Sequence, residues 1–107
     1  MKQTGTIPPE VSLQVILDQR GSRYGDFRDN ALVSQRIKQI LHDALTDNEF
    51  YKAMSLSDQF VVTEGLDNIA LKLSRITTGD PAYDDNWTDV AGFSTITRDR
   101  VCTSRNK

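Results

Sequence analysis

Thiol and imidazole groups are almost absent from this 107-residue chain, which holds one cysteine, Cys102, and one histidine, His42. A single thiol closes no internal disulfide, and the two residues together furnish no Cys/His zinc spacing. A lone thiol fits a reducing compartment, so the cytoplasm is the expected setting (the host cytoplasm if the chain is phage-encoded). Cys102 has no histidine partner and His42 no serine or cysteine arrangement, so covalent nucleophilic chemistry is not expected, and His42 reads as an ordinary surface residue. Excess positive charge is also lacking. The formal net charge is -2, and without a strong basic run the chain is a poor match for non-specific nucleic-acid binding, which sets many cations against phosphates. A local basic pocket for one small anion stays open. The opening stretch MKQTGTIPPE contains no apolar run, so neither a signal peptide nor a membrane helix is expected. P-loop, GxGxxG and HExxH motifs are missing, as are internal repeats and low-complexity segments.

What is present is helical periodicity. The length suits one domain with a modest core. The expected fold is all-α, a compact four-helix bundle-like domain with short connections over residues 8–97, flanked by flexible termini at 1–7 and 98–107. The first helix is expected over 9–20, opened by Pro8-Pro9-Glu10 and stopped near Gly21. The second spans 28–45, with Asp26 as its cap and Val33, Ile37, Ile40, Leu41 and Ala44 as one apolar stripe. Gln35, Arg36, Gln39 and Asp43 fall on the opposite, solvated face. Asn30 turns toward the apolar side, where a buried amide needs partners, either as a structural hydrogen-bonding residue or as a pocket group. Residues 46–56 read as a turn and a short helical piece. A third long helix starts after Ser55 or Ser57 and ends at Gly79. The last covers about 85–99, apolar on all sides and therefore enclosed, and Gly92 in its middle suggests a close helix contact.

The segment from Glu64 to Phe93 carries the chemistry. Glu64 and Asp67 share a helix face three residues apart, and Asp85 and Asp89 share one four apart. Two carboxylates from each of two facing helices suit Mg²⁺, a hard cation that keeps waters for substrate phosphates. Lys72 and Arg75 sit one and two turns on, placed either to neutralise phosphate oxygens or to pair with the acids. The loop around Gly25 reads either as a capped helix-helix turn or as one whose Arg23 and Tyr24 reach across a pocket mouth. With Asn30, Asn68 and Trp87 they complete the candidate ligand-binding set, Tyr24 or Trp87 stacking on a base. The charged face of the third helix also holds Phe60, Val61 and Leu71, so it is expected to be covered by the last helix or by a second subunit, and a homo-oligomer is expected.

Two stretches, RxxRYGDFxxN from Arg20 to Asn30 and LDNIALKLSRITTGDPAYDDNWTDVAGF from Leu66 to Phe93, resemble a family of small phage and prophage proteins of unknown function. Its members carry a YGD loop, a K-x-x-R helix and a D-x-W-x-D-x-x-G-[YF] helix. They are similar to the nucleotide-modification-associated domains and, more distantly, to the MazG-like all-α nucleotide pyrophosphatases. The resemblance covers about residues 13–96. It implies a helical bundle, a phage origin and a nucleotide ligand, with Mg²⁺-dependent nucleoside triphosphate pyrophosphohydrolysis as one activity. In those enzymes E-x-x-E and E-x-x-D hold the metal. Glu64-x-x-Asp67 stands for the first, whereas Asn86-x-x-Asp89 departs from the second unless Asp85 substitutes. That departure leaves a nucleotide-sequestering protein without turnover as an alternative, beside a protein-interaction module that inhibits a host factor.

Overall fold

The structure is a computed structural model and describes residues 9–106. It is all-α: α1 (Pro9–Tyr24), α2 (Phe27–Thr46), α3 (Glu49–Lys52), α4 (Leu56–Thr78) and α5 (Asp84–Asn106) follow one another through short connections. The four expected helices form, and the short piece after α2 is a fifth. The expected loose segment 1–7 lies outside the described residues.

Local chemistry sets the helix ends. Asp26 is extended and its carboxylate accepts from the Arg28 amide, Asn48 accepts from Tyr51, and Ser55 accepts from Asp58. Each satisfies an amide that the first helical turn leaves without a partner. Gly79 ends α4, its amide donating to the Arg75 carbonyl. Two ends differ from the sequence expectation. α1 passes Gly21 and stops at Tyr24, and α5 continues through 98–106. The second extension has a packing cause, because Val101 is buried and apolar, as are Ala70 and Ile76.

α4 is the central element. It packs against α2 on one side and α5 on the other. Thr78 donates its hydroxyl to Asn30, and Asp67 meets His42 at 2.7 Å, both across the α2 interface. Lys72 meets Asp89 at 2.8 Å, and Gly65 lies against Thr97, both across the α5 interface. At 100° per residue, Asp67, Ser74 and Thr78 point one way while Gly65, Lys72 and Ile76 point nearly the opposite way. The three long helices therefore lie side by side as a layer.

Much of the buried interior of that layer is polar. Asn30, Ser34, Ser74 and Asn86 are buried, and small side chains let the backbones come close. The apolar stripe expected to face the core of α2 is only half-covered, and Ile40 is 69% exposed. Nor is α5 enclosed: Trp87 and Ile96 are exposed, and a Cβ at Gly92 would meet nothing within 4 Å. α1 is the least engaged, with Leu13, Ile16 and Leu17 all more than half exposed.

Candidate functional site

The end of the layer where α1 turns into α2 and α4 turns into α5 is locked by two glycines. Gly25 adopts φ +83° and presses on the Thr78 carbonyl, where a Cβ would lie 2.5 Å from the oxygen. Only glycine takes this conformation at no steric cost. Gly79 returns the contact against the backbone of Arg23 and Tyr24, and the Asp80 amide donates to the Arg23 carbonyl at 3.0 Å. Main chain thus touches main chain at both turns. Asn30 finishes the joint, accepting from Thr78 and donating to the Gly25 carbonyl at 3.4 Å.

On this frame stands a ladder of four side chains. The Arg23 guanidinium lies over the Tyr83 ring at 5.0 Å, the Tyr83 and Tyr24 rings meet edge-on at 5.5 Å, and the Arg75 guanidinium lies over Tyr24 at 4.8 Å. Stacking fixes a guanidinium by its face and leaves its in-plane N–H donors pointing outward. Among the described residues neither arginine has a carboxylate partner. The acids nearby are occupied by local donors: Asp26 by the Arg28 amide, Asp80 by the Ala82 amide at 2.9 Å, and Asp85 by the Tyr83 hydroxyl at 3.1 Å. The hydrogen bond to Asp85, and after it one to Tyr24, holds the Tyr83 phenol above the ordinary tyrosine range. A pocket of about 310 Å³ opens here, lined by Leu17, Tyr24, Gly25, Asp26, Phe27, Asn30 and Arg75.

Of the expected ligand-binding residues, Arg23, Tyr24, Asn30 and Arg75 come together at this corner. Lys72 is 14% exposed and spent on Asp89. Asn68 bonds back to Glu64 on its own helix. Trp87 donates its indole N–H to the Pro81 carbonyl at 2.8 Å and leaves its ring half exposed. Tyr83 and Thr78 escaped the sequence reading, although both flank the Gly-Asp-Pro turn that marked the end of α4.

The four acids expected to hold a metal do not fit one within the chain. Asp67 turns to His42 on α2, Asp89 to Lys72 on the α5 side, Asp85 to Tyr83, and Glu64 to Asn68. Among the described residues no three Asp, Glu, His or Cys side chains converge. The cause is the layer: a central helix shows its two neighbours opposite faces, so Asp67 and Asp89 are held apart. His42, expected at the surface, keeps a 43% exposed side chain and also meets Asp67 of α4.

No helix among the described residues is long and apolar enough to cross a membrane. No family model, curated protein or solved structure matches this chain.

Proposed function

We propose that this chain is a small helical, phage-type cytoplasmic protein that binds a nucleotide or another phosphorylated small molecule at the Arg23–Tyr24–Arg75–Tyr83 corner and works as a homo-oligomer. One observation carries the reading: two guanidiniums lie over tyrosine rings, and among the described residues neither is ion-paired with a carboxylate. Such forks match the oxygens of a phosphate bidentately. The rings beside them offer an apolar surface to a base or sugar.

Capture without turnover is favoured over hydrolysis. Pyrophosphohydrolysis needs a metal to activate water and clamp phosphates, and the four acids do not converge to hold one. Calorimetry with a panel of nucleoside triphosphates, in EDTA and then in Mg²⁺, tests this directly. Binding in EDTA, at least tenfold weaker in Arg75→Gln, is expected, with no pyrophosphate released in Mg²⁺. Release of pyrophosphate would restore the enzyme reading. Binding untouched by Arg75→Gln would move the site elsewhere.

A further inference from the structure

We infer that the pocket beside Arg75 selects guanine among the nucleobases, with Asp26 as the residue that reads the base. This rests on the nucleotide-binding reading above and names the base that it leaves open. The walls of the pocket supply three different chemistries. Arg75 brings a cation, Asp26 a carboxylate, and Leu17, Tyr24 and Phe27 apolar surface. Among the described residues Asp26 and Arg75 line this one cavity without forming an ion pair. A ligand that satisfies both is anionic at one end, donates N–H groups at the other, and carries an apolar body between them. A nucleotide whose base has a donor-rich edge meets all three conditions.

Asp26 has accepting capacity to spare. As the cap of α2 it takes the Arg28 amide on Oδ2 at 3.2 Å, and its backbone carbonyl takes the Asn30 amide. Oδ1 has no partner among the described residues. Asn30 cannot serve in its place, because both atoms of its amide are engaged, with Thr78 and with the Gly25 carbonyl. An ionised carboxylate only accepts, so it favours an edge with adjacent N–H donors and no lone pair between them. Guanine offers its ring N–H and its 2-amino group side by side. Adenine and cytosine set a ring nitrogen acceptor beside their amino groups, and uracil flanks its one N–H with two carbonyls. Each of these three turns a lone pair on the carboxylate.

Phe27 supplies the surface on which the base lies. It opens α2 directly after Asp26, and its ring is 84% exposed, more than any other large apolar side chain among the described residues. Stacking on an aromatic ring tolerates every base, so Phe27 adds affinity and Asp26 adds choice. The cavity of about 310 Å³ falls at the small end of ligand sites, about 300–1,000 Å³. That is room for a purine nucleoside with a phosphate at Arg75.

Calorimetry of the full chain in EDTA with GTP, ITP, ATP and UTP tests the inference. GTP is expected to bind at least tenfold more tightly than ATP or UTP, and several-fold more tightly than ITP, which lacks the 2-amino group. Asp26→Asn keeps the helix cap, since asparagine caps as well as aspartate, but turns one acceptor into an N–H donor. It is expected to lose GTP affinity at least tenfold and to gain ATP affinity, whereas a purely capping Asp26 would leave their ratio alone. Phe27→Ala is expected to weaken all four several-fold, and unchanged binding would remove the base from this pocket. ATP bound as tightly as GTP, or a ratio unmoved by Asp26→Asn, overturns guanine selection and leaves nucleotide binding standing. If none of the four binds, the nucleotide reading itself falls, and guanine selection with it. Should Asp26→Asn unfold, the wild type decides through GTP and ITP, whose equal affinities would overturn the role of Asp26.

Discussion

Gly25 and Thr78 touch through their backbones, although 53 positions separate them in the sequence, and the contact leaves no room for a Cβ on Gly25. The positive φ and the crowding act together. Gly25→Ala is expected to destabilise the fold by about 2–4 kcal/mol, about 1–2 from the left-handed backbone and the rest from displacing Thr78. Gly92→Ala is the contrasting case: its Cβ meets open space in mid-helix, so it is expected to stabilise by up to about 1 kcal/mol. Urea denaturation of the two variants beside the wild type gives both signs in one experiment. A harmless Gly25→Ala would dissolve the proposed lock.

Asn86 is fully buried, and neither atom of its amide has a hydrogen-bond partner; the Ser34 hydroxyl shares this condition. A buried polar group without partners costs about 1–3 kcal/mol. Asn86→Leu, which keeps the branched shape of the side chain with somewhat bulkier methyl groups and carries no polar atoms, is therefore expected to raise the thermal midpoint. Thermal melts check this, and a clear loss of stability would mean the amide is hydrogen-bonded in solution.

Tyr83 predicts an alkaline effect. Its phenol is held above its ordinary value by the hydrogen bond to Asp85, so the fold favours the protonated form. That contribution is fully present below the unfolded value of about 10 and is lost as pH rises through the higher folded value. Tyr83→Phe, which cannot ionise, is expected to flatten the decline in stability on the alkaline side. Below pH 9 the two proteins should show parallel profiles. A wild-type curve as flat as the variant's above pH 10 would rule out the coupling to Asp85.

The sequence disclosed the structure where the physics is local. Asp26, Ser55 and Gly79 announce helix ends because a cap and its amide lie within a few residues of each other. Arg23, Tyr24, Asn30 and Arg75 were legible as candidates because polar groups interrupt apolar periodicity there. Neighbour identity was not legible. Periodicity says that Asp67 and Asp89 each occupy a face, but not that α4 shows those faces to different helices, and so four acids looked like one cluster. Tyr83 lies in a turn, where periodicity has no voice, and its role depends on α1 arriving from the far end of the chain. The His42–Asp67 contact was hidden for the same reason, since only the α2–α4 register creates it.

The glycine lock at Gly25 and Gly79 has a consequence for redesign. Because the corner is registered by main-chain contacts, the four stacked side chains are fittings on a socket that holds its own shape. Exchanging Arg23, Tyr24, Arg75 or Tyr83 should change what the socket accepts while the helices keep their places. On the proposed binding role, recognition and folding are then separable, and the corner becomes a small platform on which new ligand preferences can be written one side chain at a time.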